Sequence, residues 1–148
     1  MAPMDLPYGF QAEVAVPYEE AIALVRAALA AQGFGVLTEI DVRATMKKKL
    51  DVEFRPYVIL GACNPPIARK ALEAERAIGL LLPCNVVVYA ADAPGRSVVA
   101  VLDPVVQLGI TGRDDIRPLA EEVRALLRAA LDDVGRRAAP HNATDKGN

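Results

Sequence analysis

The residues best suited to chemistry are two cysteines, each followed by asparagine: Cys63-Asn64 in "GACNPP" and Cys84-Asn85 in "LLPCNVVVY". A thiol acts as a nucleophile or a soft-metal ligand only as thiolate, so its surroundings decide its use. Cys63 stands just before Pro65, a residue suited to the first turn of a helix, where unpaired amides and the helix dipole favour thiolate. Cys84 follows Pro83 and enters an apolar run, where burial raises the pKa and quiets the thiol. Any thiol chemistry is therefore expected to be asymmetric, with Cys63 the nucleophile. The simpler alternative is structural. Free cysteine is among the most buried residue types, and asparagine is common at helix caps and turns, which would make Asn64 a cap and Asn85 a turn organiser.

Partners for catalysis are missing. The one histidine, His141, stands in a polar C-terminal stretch, and the one serine, Ser97, falls in an expected hairpin. Neither a Cys-His nor a Ser-His-Asp arrangement has a placed histidine. Structural zinc takes four ligands, which two cysteines and a distant histidine do not supply, so no metal and no cofactor is expected. Asp103, before Pro104, could present a carboxylate, although Asp-Pro is also an ordinary strand-exit turn. The acid pairs Glu19-Glu20, Glu121-Glu122 and Asp132-Asp133 read as solvated helix faces, as does the basic run Lys47-Lys48-Lys49 beside Asp51 and Glu53.

Length and composition narrow the setting. The 148 residues fit one domain, and 53% hydrophobic with 24% charged residues is a globular balance. A net charge of −2 with interspersed signs leaves no field to gather phosphates, so nucleic acid is not an expected partner. The longest apolar stretch, Ala77 to Ala91, falls short of the ~20 residues of a membrane span and contains Pro83 and Asn85, so no membrane association is expected. The start, "MAPMDLPYGF", lacks the basic and apolar regions of a secretory signal. A cytoplasmic location with both cysteines as thiols is the expectation.

Periodicity supplies the elements that would position these residues. Phe10, Ala12, Val14 and Val16 alternate as a strand, and Pro17 opens a helix with Ile22, Val25 and Leu29 on its apolar face, ended by Gly33. Phe34 to Val42 alternates as a second strand, and Met46 with Leu50 marks a short helix. Tyr57 to Ala62 is a third strand. A helix from Pro65 to Gly79 follows. Val86 to Ala91 and Val98 to Leu102 form a hairpin around Pro94-Gly95, and a last helix starts at an Asp114 or Asp115 cap and carries Leu119, Val123, Leu127 and Val134. This order predicts an α+β domain over 1–134, a mixed or mostly antiparallel sheet with helices on one face, and a disordered tail over 135–148. Val14, Ile22, Val25, Leu29, Val36, Ile40, Ile59, Leu72, Val87, Val99, Val123 and Leu127 are expected to share one core.

"ALAAQGFGVLTEIDV", "YVILGACNPPIARKAL" and "GLLLPCNVVVY" followed by "VLDP" resemble a bacterial family, domain of unknown function three-zero-two, over about Tyr8 to Val134. The resemblance implies an α+β fold with a TATA-binding-protein-like arrangement and a homodimer. It implies no activity. The expected function is a homo-oligomeric module that binds a small-molecule ligand or a partner, with Cys63, Asn64, Cys84, Asn85 and Asp103 as candidate binding residues. The alternative is a thiol-dependent enzyme, or a sulfur or redox carrier, using Cys63.

Overall fold

A computed structural model describes residues 2–139. The chain runs through β1 (Ala2–Leu6), β2 (Gly9–Val14), α1 (Tyr18–Ala31), β3 (Gly35–Asp41), α2 (Val42–Leu50), β4 (Tyr57–Cys63) and α3 (Pro65–Ala74). A 3-10 segment (Arg76–Leu81) leads to β5 (Cys84–Ala90), β6 (Ser97–Leu102), α4 (Pro104–Gly109) and α5 (Arg117–Ala138). The strands form one open sheet in the order β1-β2-β6-β5-β4-β3, and every neighbouring pair is antiparallel. The α+β class holds, and the mixed-sheet option drops out.

α1 and α5 pack on each other and on one sheet face. Phe10, Ala12 and Val14 of β2, Val58 and Leu60 of β4, Val86 and Val88 of β5, and Val99 and Val101 of β6 point to these helices. Val25, Leu29, Leu127 and Leu131 meet them, giving a single apolar layer between sheet and helices. Ser97 is wholly buried here, and its hydroxyl donates to the Val16 carbonyl at 2.8 Å. That bond satisfies a polar group that would otherwise be costly to bury. A second cluster of Ala71, Ile78, Leu108, Ile116 and Ala120 anchors α3 and α4 against α5.

Four expected core positions lie elsewhere. Ile40 is 50% exposed and Leu72 40% exposed, while Ile59 and Val87 are half-buried. For Ile40 the cause is a bulge. The register of β3 against β4 shifts between Val36 and Thr38, so Val36 packs on the core but Thr38 and Ile40 emerge on the opposite face. A one-residue slip exchanges the two faces of everything beyond it. In β4 and β5 both faces are apolar, so alternation left the inward phase undetermined: Val58 and Val88 point in, while Ile59 and Val87 point out.

Other differences concern element boundaries. β1 was not expected, since Pro3 and Pro7 crowd it; an edge strand tolerates proline because one side needs no ladder bond. The predicted helix from Pro65 to Gly79 breaks after Ala74 and continues as the 3-10 segment. α5 is not capped by Asp114 or Asp115: its N-cap is Ile116, and Asp115 instead pairs with Arg113 at 2.6 Å. α5 also runs through Gly135 to Ala138, past the boundary expected at 134, because Val134 and Ala138 pack on the core and offset the helix cost of glycine, about 1 kcal/mol. The rest of the expected tail, 140–148 with His141, lies outside the described residues.

Candidate functional site

The Cys-Asn segments meet at neighbouring strands. Ala62 pairs with Cys84 across β4 and β5, which places Cys63 and Cys84 diagonally adjacent. Cys63, Asn64 and Cys84 border an apolar cleft with Phe34, Ile67, Pro83, Leu108 and Val123. Its volume is about 40 Å³, room for little more than a water molecule. Cys84 is 7% exposed, and burial, followed by the neighbouring Cys63, pushes its thiol from 9.0 up to about 11. Burial also raises Cys63 above its ordinary value. Burial thus acts on Cys63 in the direction opposite to the lowering expected from the helix start at Pro65.

Both asparagines do work other than that expected. Asn64 is the N-cap residue of α3, but its side chain makes no cap bond. Its Nδ2 donates instead to the Gln32 carbonyl at 3.5 Å, linking the start of α3 to the end of α1. Asn85 organises no turn. It is the second residue of β5, pairs with Gly61, and stands exposed on the face away from the helices. Asp103 caps α4, accepting from the Val105 amide at 2.9 Å, and lies 3.5 Å from Arg124. The Asp-Pro pair thus starts a helix that was read as a turn, and its carboxylate is structurally engaged. The five candidates do not converge on one site.

Iodoacetamide labelling of the native protein at pH 8 separates the two thiols. A two-unit rise in pKa removes about 99% of the thiolate, so Cys84 is expected to react more than ~100-fold slower than an unburied thiol. Cys63 should react between the two. Peptide mapping that finds Cys84 labelled first would overturn this assignment.

The larger concavity lies on the other sheet face, where sequence reading placed nothing but Asn85. It measures about 270 Å³ and is bordered by Leu6, Tyr8, Gly9, Gln11, Tyr57, Asn85, Val87, Tyr89, Ala100, Val101 and Leu102. Register builds it. Met4, Gln11, Ala100, Val87, Ile59 and Ile40 form one row across all six strands, and Glu13, Val98, Tyr89 and Tyr57 form the next. Tyr57 and Tyr89 are direct cross-strand partners whose rings stack with centroids 5.2 Å apart and an interplanar angle of 4°. Burial, then Tyr89 and Tyr8, raises the Tyr57 phenol above its usual range, which records how near the three tyrosines lie. The signal in the sequence was a tyrosine in each of two otherwise aliphatic strands, a ring with a polar tip where a sealed interior would use valine.

Gly61 marks the far limit of this face. A side chain there would meet Thr38 Oγ1 at well under 3.0 Å and Pro83 Cγ at 2.7 Å, so the space beside Asn85 is already filled by β3 and by the residue preceding Cys84. Among the described residues no group of three or more His, Cys, Asp or Glu could hold a metal ion, and no helix is long and apolar enough to cross a membrane.

Among curated proteins, none matches this chain. A solved structure, the uncharacterized conserved protein DUF302 from Bacillus stearothermophilus, is similar with a TM-score of 0.80 at 28% identity, covering 87% of this chain and 99% of that one. The family model for Domain of unknown function DUF302 matches residues 10–134, a span that contains both Cys-Asn segments, β3 to β6 and all of β2 but Gly9. The chain belongs to the DUF302 family.

Proposed function

We propose that this protein is a non-enzymatic, homo-oligomeric interaction module whose working surface is the sheet face opposite α1 and α5. One observation carries the reading: the outward positions of β4, β5 and β6 are predominantly apolar, with Asn85 the polar exception. An antiparallel sheet that keeps one face in water alternates apolar and polar residues, as β2 does with Gln11 and Glu13. The outward residues of the neighbouring strands are instead Tyr57 and Ile59, Val87 and Tyr89, and Val98, Ala100 and Leu102. Strands apolar on both faces belong to sheets covered on both faces.

The partner best suited to this face is a second copy of the chain, because the chain also carries a matching arm. α2 has no buried residue; it is held by the Asp41 side chain accepting from the Ala44 amide at 2.9 Å and by lysines in its last turn that suit the helix dipole. Around it Leu37, Ile40, Leu50, Val52 and Phe54 are all at least 40% exposed. A nine-residue helix with its apolar side in water is marginal by itself. A two-fold arrangement lays the arm of each copy on the face of the other, so one self-complementary contact covers both. Among the described residues, no Lys or Arg borders the concavity on the open face, which argues against nucleic acid as the occupant. Two free thiols accord with a reducing cytoplasm. The thiol-enzyme alternative loses its main support, since burial raises both thiols.

Light scattering at micromolar concentration is expected to return twice the 15.8 kDa of one chain. Ile40→Asp combined with Leu50→Asp should return the single-chain mass with an unchanged far-ultraviolet spectrum. A monomer for the unmodified protein would sink the reading.

A further inference from the structure

The concavity shares Tyr57, Val87, Tyr89, Ala100 and Leu102 with the face offered to a second copy, and adds polar groups that an apolar arm would not use. Its floor is aliphatic, from Val87 and Leu102, and one wall is the stacked Tyr57-Tyr89 pair. Gln11 and Asn85 border it from different strands, the Gln11 Nε2 lying 3.9 Å from Met4 Sδ, and Tyr8 borders it as well. The rim is held: Tyr8 lies in the turn joining β1 to β2, and its carbonyl accepts from the Asp103 amide at 2.9 Å, fastening that turn to the end of β6. Among the described residues, no Asp, Glu, Lys, Arg or His borders the space.

Each feature selects a ligand property. A volume of about 270 Å³ is at the low end for small-molecule sites, which commonly run ~300–1,000 Å³, so one ring or a fused pair fits and a nucleotide does not. Flat tyrosine walls favour a flat ligand through offset or edge contacts. Primary amides offer two donors and an acceptor each, and phenols offer both roles, so a ligand with a mixed donor-acceptor edge is matched. A charged ligand would be desolvated against apolar walls with no opposite charge to meet it. We infer that this concavity binds a small, neutral, planar aromatic compound with an amide-like or phenol-like edge, stacked near Tyr57 and Tyr89 and hydrogen-bonded by Asn85 and Gln11. The site is formed within one chain, at the β2-β6-β5 side of the face, whereas the exposed apolar arm belongs to the β3 side.

The four tyrosines provide the readout. Tyr8, Tyr57 and Tyr89 border the concavity, while Tyr18, at the start of α1, does not. In a protein labelled with carbon-13 at tyrosine rings, benzamide at millimolar concentration is expected to shift the first three signals and leave Tyr18 in place. Benzoate and benzamidine have nearly the same shape with opposite charges, and each should bind at least tenfold more weakly. Asn85→Leu and Tyr89→Leu should each weaken benzamide at least fivefold, with the Tyr18 signal confirming the fold. The Ile40→Asp, Leu50→Asp variant, with no partner arm over the face, should bind benzamide at least as tightly as the unmodified protein, so the shift read in this variant tests the site independently of self-association. Absence of a benzamide shift, equal response to all three probes, or undiminished binding in both site variants would overturn the inference.

Discussion

Gly9→Ala is expected to destabilise the domain by about 3 kcal/mol, lowering its urea midpoint sharply. Gly9 is buried at the start of β2, opposite Leu102. A β-carbon there would press on the Val101 carbonyl oxygen at well under 3.0 Å, with the carbonyl carbon at 3.3 Å and Leu102 Cα at 3.5 Å. All three are backbone atoms of β6, so no rotamer change relieves the overlap. Overpacking costs ~1–3 kcal/mol even where side chains can adjust, and a backbone clash belongs at the top of that range. Gly35→Ala is the control. It meets nothing within 4 Å, so it should be neutral or slightly stabilising through the unfolded chain. Midpoints for the two variants that agree within ~0.5 kcal/mol would show that β2 and β6 do not approach as described.

Alkaline pH is expected to weaken the fold through Cys84. The folded thiol is pushed up to about 11, chiefly by burial, while the unfolded chain titrates near 9.0. Between those values the native state holds a proton that the unfolded state has released, so stability falls as pH rises. The contribution is complete below pH 9, declines through the interval, and is gone above pH 11. Two units correspond to roughly 3 kcal/mol. Tyr57, also raised mainly by burial, adds a loss of the same sign at higher pH. Urea unfolding at several pH values, repeated for Cys84→Ala, isolates the thiol. Parallel stability curves for the two proteins would refute the assignment.

The two thiols differ in how far the sequence foretold them. The quiet Cys84 follows from its run of apolar neighbours, and the structure agrees. The raised Cys63 does not follow, because Cys-Asn-Pro-Pro signals a helix start but says nothing of the Phe34, Leu108 and Val123 side chains, distant along the chain, that border the same cleft. Asn64 and Asn85 show the same limit. Both were read as local backbone organisers, yet one bonds a carbonyl 32 residues away and the other stands on an open sheet face.

The amino-acid sequence by itself determined the existence and type of most elements, the β5-β6 hairpin, the α+β class and the family. These depend on hydrophobic period, on proline and glycine placement and on short motifs, all of which act over a few residues. Tertiary structure decided which face of each strand points inward. In β4 and β5 both faces are apolar and in β3 a bulge exchanges them, so no local rule could tell Val58 from Ile59 or keep Ile40 in the core. It alone assembled Tyr8, Gln11, Tyr57, Asn85 and Tyr89 around one concavity, because that neighbourhood is made by ladder register among β2, β4, β5 and β6, a relation that joins residues as far apart as Gly9 and Leu102.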